Sequence, residues 1–265
     1  PDPRMVNKCD HLLIDIVMIA ICATIANADG WEDIALFAEG KSKWLALPNG
    51  IPSPDTFKRV FEHIDADAFQ QRFMEWVQAV FKVTKGQVIA IDGKTLRGTC
   101  NQQGKSTLHV VSAWATVNRL SLAQVKVEEK ANEIVAIPNL LDLLILKGCI
   151  VTLDAMGCQK KIVKQIGDAK ADYVVTVKGN HPSLYRHILA AFTAADEQGI
   201  PLGSPHYCQT EDAQHGRIEK RQCWVLPDEE AQQLGWAKCQ TVVRIQPTTQ
   251  RGNGKTSEEP HYYIS

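Results

Sequence analysis

The spacing of apolar residues changes character near residue 86. Before it the period is helical. Leu12 to Ala28 is almost wholly apolar, Trp31 to Ala38 follows at helical spacing, and Asp67 to Phe81 is amphipathic. Ile51-Pro52-Ser53-Pro54-Asp55-Thr56 is a helix start, with Ser53 as N-cap and Pro54 at the first helical position. The helix it opens, 55–64, turns Phe57, Val60, Phe61 and Ile64 inward and Lys58 and Arg59 outward. The pattern predicts a small all-helical domain over residues 1–81. A short helix after a tight turn is one way to read DNA; a bundle that only packs fits the same pattern.

From Gln87 the period shortens to that of strands. The runs 87–92, 108–117 and 120–127 predict three strands, the last two joined by a hairpin at Asn118-Arg119. A helix over 132–146, a strand over 149–153, a helix over 158–168 and a strand over 173–177 follow, and together they predict a mixed α/β sheet. Tyr185–Phe192 reads as helix and Gly199–Pro205 as a Gly/Pro-rich turn. Arg217–Val225 and Gln240–Ile245 read as strands of a β-rich insertion beginning near 206, and 250–260 as loop. The chain stops inside an apolar, strand-like stretch, Tyr262-Tyr263-Ile264-Ser265, so the polypeptide is expected to continue. The second predicted domain is 86–265, incomplete at its carboxyl end.

Two aspartates stand where apolar strands run out: Asp92 closes Val88-Ile89-Ala90-Ile91, and Asp154 closes Cys149-Ile150-Val151-Thr152-Leu153. Carboxylates at the ends of neighbouring strands can share divalent cations, the construction of phosphoryl-transfer sites. The element order matches a ribonuclease H-like sheet, in which one acidic residue ends the first strand and another the fourth. Read alone, each Asp is a turn residue or a helix cap, Asp154 ahead of helix 158–168. Trp31, Trp44, Trp76 and Trp114 read as core.

Charge sharpens the picture. The net charge is −1, but residues 1–81 hold 7 Lys/Arg against 12 Asp/Glu, residues 82–188 hold 15 against 8, and residues 189–265 hold 7 against 10. The segment with both aspartates is the basic one, as a site on a polyanion requires. Eight cysteines without a CxxC pair suit reduced thiols. His206, Cys208, His215 and Cys223 are a conceivable zinc set at a spacing foreign to the usual patterns. The longest apolar run, Ile16 to Ala26, is too short to span a bilayer. A cytoplasmic protein is expected, with neither a membrane partner nor an organic cofactor.

Five segments carry a family resemblance: Ile91–Gly98, Glu129–Ile134, Thr152–Met156, Tyr173–Asn180 and His215–Glu219. They resemble the H-repeat-associated insertion-sequence transposases, and the opening, from Asp2-Pro3-Arg4 to Pro52-Ser53-Pro54-Asp55-Thr56, is similar to that group's amino-terminal associated domain. The resemblance implies a DDE transposase with a ribonuclease H-like core, two Mg²⁺ or Mn²⁺ ions, and double-stranded DNA (transposon ends and target) as substrate, acted on by a homo-oligomer. It makes Asp92 the first acidic residue and Asp154 the second. The third, in related transposases, is a Glu on a late helix within a pattern like Arg-x-His-Trp-x-Ile-Glu-Asn, which does not occur before Ser265. Glu219 is the substitute the sequence offers, though its neighbourhood alternates as a strand. Lys94 and Arg97, just past Asp92, together with Lys160, Lys178, Asn180 and Arg217, are the expected DNA contacts. A protein that binds DNA without cutting it, and a metal-dependent nuclease that hydrolyses without joining, remain alternatives.

Overall fold

The computed structural model describes residues 2, 4–5, 9–80, 86–95, 109–117, 120–127, 133–199, 206–214, 217–251, 256–257 and 259–265. The chain divides into two compact units, Pro1–Val77 and Gln78–Ser265. The expected hairpin at 118–119 lies outside the described residues, as do 252–255 and 258 of the stretch 250–260 expected as loop; Gln250 and Arg251 instead close one strand and Thr256–Ser257 form another.

The first unit contains α1 (Leu13–Ile25), α2 (Trp31–Gly40), the single turn α3 (Ser42–Leu45), α4 (Pro54–His63) and most of α5 (Ala66–Val80). Ile16, Ile19 and Ala23 of α1, Ala38 of α2, and Phe57 and Val60 of α4 are buried in one cluster. The start of α4 is the one its residues specify: Ser53 Oγ accepts from the Thr56 amide at 3.3 Å, and Pro54, which has no amide to satisfy, takes the first turn. Lys58 and Arg59 face solvent. Trp31 packs against this cluster, but two other tryptophans of the unit depart from expectation. Trp44 is 70% exposed and Trp76 54%, so neither is core.

The second unit is built on β1 (Val88–Thr95), β2 (His109–Ala115), β3 (Leu120–Val127), α6 (Glu133–Asp142), β4 (Ile150–Leu153), α7 (Lys160–Asp168), β5 (Asp172–Val177) and α8 (Pro182–Gln198). It continues through β6 (Tyr207–Gln214), β7 (Arg217–Pro227), α9 (Glu230–Gln233), β8 (Thr241–Arg251), β9 (Thr256–Ser257) and β10 (His261–Ile264). Strand order in the one sheet is β3-β2-β1-β4-β5-β10-β8-β7-β6, with β9 on β8. β1, β4 and β5 run parallel, while β2 and β3 are antiparallel to their neighbours. Three antiparallel strands continued by two parallel ones, in the order 3-2-1-4-5, are the ribonuclease H-like arrangement. β10 returns to pair antiparallel with β5 and β8, which splices the β-rich insertion onto the core sheet.

Register assigns the two faces. A Cβ at Gly93 would meet Glu133 of α6, and one at Gly157 would meet Leu153 and Ile137, so Gly93 and Leu153 face α6. Val175 registers with Leu153, and Tyr262 with Val177 two residues on; Tyr262 packs its ring against Tyr185 and Phe192 of α8. Gln165 of α7 donates to the Pro138 carbonyl of α6 at 3.0 Å. Helices α6, α7 and α8 therefore share one face. Because strand side chains alternate, Ala90, Asp92, Thr152, Val174 and Thr176 belong to the opposite face, turned away from α6, α7 and α8. Trp114 registers with Ala90 and is 43% exposed for that reason, so it too departs from the core expectation.

Candidate functional site

The last paired residues of β1 and β4 are Ile91 and Leu153. One step beyond, Asp92 and Asp154 stand side by side at the carboxyl ends of adjacent parallel strands, whose backbones lie about 4.8 Å apart. Both preceding residues face the helices, so both carboxylates emerge on the open face. Both are exposed. The Asp92 carboxylate accepts no hydrogen bond among the described residues; its backbone carbonyl takes the Ser112 hydroxyl at 3.4 Å. Asp154 is half committed: its Oδ1 accepts from the amides of Met156 (2.9 Å) and Gly157 (3.1 Å). This is an Asx turn and not a cap on α7, which starts only at Lys160. Oδ2 remains for other work.

The turn is held from the next strand. Asn180, past the end of β5, donates its side-chain amide to the Ala155 carbonyl at 2.9 Å. His181 donates from Nε2 to the Cys158 carbonyl and sets its ring edge-on to Trp236, centroids 5.1 Å apart. Asn180, expected as a DNA contact, is thus engaged in shaping the Asp154 loop. Burial among Asp154 and Cys239 pushes the Cys158 thiol up to about 12, with desolvation the largest cause, so it is a packed thiol and not a nucleophile.

Cationic groups surround the pair on the same face. Lys94 follows Asp92 by two residues and shares its side of the strand. Lys178 lines a cleft of about 420 Å³ with Asp154, Ala155, Met156, Thr176, Asn180 and His261. His261 was absent from the sequence reading. Nothing near it in sequence marks it, because only the pairing of β10 with β5, Tyr262 opposite Val177, carries it to the level of Lys178.

Other expected residues are placed elsewhere. Lys160 opens α7 with its ammonium 5.9 Å from the Trp236 ring centroid, a cation–π contact that occupies it within the fold. Arg97 lies outside the described residues, and of Arg217 only the backbone in β7 is described. Glu219 is on β7, four strands from β4 in the sheet. At about 4.8 Å per strand it is roughly 19 Å or more from Asp154, too far to share a cation, and its Oε1 accepts from Arg221 at 2.7 Å. The structure does not bring it to the two aspartates. Cys208 and Cys223 face each other across β6 and β7, but no group of three or more metal-ligating side chains occurs among the described residues. No described helix is long and apolar enough to cross a membrane.

Residues 84–246 match the family model described as the transposase DDE domain, and residues 1–77 match the DDE_Tnp_1-associated model. The chain belongs to the DDE transposase family. The relatives extend this to the H-repeat-associated group. The chain is 38% identical over 238 residues to the protein named "H repeat-associated putative transposase YbfD" of Escherichia coli K12, covering 86% of this chain and 92% of that one. It is 43% identical over 231 residues to "Putative transposase YncI" of Escherichia coli O157:H7, covering 83% of this chain but 57% of that one. It therefore spans little more than half of that longer relative, yet 90% of the K12 protein of the same name. A 64-residue stretch is 45% identical to "Inactive transposase YbfQ" of the same strain, covering 23% of this chain and 76% of that one.

Proposed function

We propose that this chain forms the DNA-cleaving and strand-joining core of a DDE-type transposase acting at insertion-sequence ends. One observation carries the reading: the register of β1 with β4 sets Asp92 and Asp154 next to each other on an open, lysine-flanked face. Two neighbouring carboxylates, one with an oxygen free of the turn, are hard oxygen donors of the kind Mg²⁺ and Mn²⁺ accept alongside water and phosphate oxygens. Bound there, such ions supply activation of the attacking oxygen and stabilisation of the leaving one. The chain's own residues do the rest. Asp92 and Asp154 hold the charge in place, and the Asx turn with Asn180 fixes the direction of the second carboxylate. Lys94, Lys178 and His261 present donors to backbone phosphates on either side, a contact that positions the duplex without reading its bases. The first unit, with exposed Lys58 and Arg59 on α4, is assigned to DNA binding, and a homo-oligomer to the paired ends.

The test is Mn²⁺-dependent nicking of supercoiled plasmid by the full chain. Asp92→Asn or Asp154→Asn should abolish nicking, a loss of at least about a hundredfold, while duplex binding stays within a few-fold. Nicking that survives either substitution would remove the carboxylates from the chemistry. A second reading, a protein that binds DNA without cutting it, is favoured by the placement of Glu219 four strands away. It predicts salt-sensitive, metal-independent binding and no nicking by the chain as it stands.

A further inference from the structure

Glu133 opens α6 and is 5% exposed, a rare position for a carboxylate. It is paired with His109 of β2, equally buried, through His109 Nε2 and Glu133 Oε1. An ionised carboxylate only accepts, so the imidazole proton sits on Nε2. Nδ1 then takes the hydroxyl of Thr95 at 2.8 Å. The same carboxylate lies directly on β1: a Cβ at residue 93 would stand 2.6 Å from Glu133 Oε2, so any side chain there has to push the Glu133 carboxylate aside. Pairing with β4 ends at Ile91, and among the described residues the strand from Asp92 to Thr95 is paired on one side only, to β2. The segment that carries Asp92 therefore lacks its parallel neighbour at the point where the carboxylate leaves it.

We propose that Glu133 and His109 are positioning residues that clamp β1 at Gly93 and Thr95 from the helix-covered face and so fix how Asp92 presents its carboxylate on the open face. Glu133 touches the residue after Asp92 and His109 touches Thr95, and alternation sends Asp92 the other way. Burying this pair is costly where an apolar pair would fill the same space; what the polar pair adds is directionality, with the Glu133–His109 bond orienting the ring whose other nitrogen holds Thr95. The inference rests on Asp92 and Asp154 being cation-holding carboxylates, and its test separates the two ideas.

Mn²⁺ affinity is measured by calorimetry, and amide exchange by mass spectrometry, on the full chain as wild type, Asp92→Asn, Glu133→Leu, Glu133→Gln and Gly93→Ala. Glu133→Leu should weaken Mn²⁺ binding by about tenfold or more, as loss of an outer support does. It should also speed exchange across Asp92–Thr95 while Ile150–Leu153 stays protected. Glu133→Gln keeps an acceptor for His109 and should remain within about threefold of wild type. Gly93→Ala leaves the acid in the chain but displaces it from the strand, so it should repeat the Leu result and carries the comparison if Glu133→Leu does not fold. Unchanged affinity and exchange in both variants would overturn the clamp. So would exchange that rises evenly over the whole sheet, the mark of a residue that only stabilises the fold. Wild type that binds no Mn²⁺ would sink the metal reading alone, and the local exchange pattern would still decide the clamp.

Discussion

Lys178 and Asn180 are two residues apart, and the structure gives them different work. Lys178 lines the cleft beside Asp154 and its ammonium makes no hydrogen bond among the described residues, whereas Asn180 spends its amide on the Ala155 carbonyl. In duplex binding measured across a salt series, Lys178→Ala should lower the slope of log K against log salt by about 1. Asn180→Ala should leave the slope alone and weaken Mn²⁺ binding through the loosened Asp154 turn. Equal slopes for both variants would return Asn180 to the DNA contacts. At this scale the sequence was legible where placement is local: the apolar runs ahead of Asp92 and Asp154 are the strands β1 and β4 that they predict. It was mute where chemistry depends on pairing. Glu133 stood in a polar segment with no partner in view, and His261 in a strand whose neighbour lies far back in the chain. Glu219 was attractive by residue type alone, and type says nothing of which strand separates it from the site.

Among the elements, helix and strand interiors followed the apolar period, and the departures have physical causes. β6 went unread because Tyr207–Ala213 is almost entirely exposed, a polar strand at the sheet edge that no alternation betrays. β8 runs on to Arg251 through a stretch that reads as loop, because its backbone is paired with β7 over its full length. α8 is tied to these strands by Arg244. Its guanidinium lies 4.8 Å from the Phe192 ring and 4.4 Å from the Trp224 ring, and it grips Asp196 with two bonds of 2.7 and 2.8 Å. Arg244→Lys keeps the charge but loses the fork and most of the stacking, and should lower unfolding free energy in denaturant titration by about 1 kcal/mol. Those bonds hold the Asp196 carboxyl below its ordinary 3.8. Its contribution is present above that value and is lost as pH falls through the lowered one, and Arg244→Lys should shrink that acid-side loss.

For the molecule as a whole, the alkaline limb of stability follows from a cluster beneath α7 and β5. Desolvation raises the Cys158 thiol to about 12 and Cys239 to about 11, and raises the Tyr173 phenol, which donates to the Ala237 carbonyl at 2.9 Å. The folded state keeps protons that the unfolded chain releases from its ordinary thiol value of 9.0 upward. The stability these groups hold is intact below pH 9 and drains away as pH climbs toward 11 and 12. Melting temperature should fall across that window, and Cys158→Ala should flatten the fall; a flat wild-type profile would contradict the burial of these groups.

The return of β10 to a place between β5 and β8 also has a consequence during synthesis. β5 ends at Val177, and the strand that satisfies its outer edge does not begin until His261. A nascent chain that has folded through α8 therefore waits at the ribosome with a bare, apolar edge on its central sheet, able to zip onto any neighbouring polypeptide. Polysomes carrying this message should depend on a chaperone that shields that edge until the latecomer strand arrives.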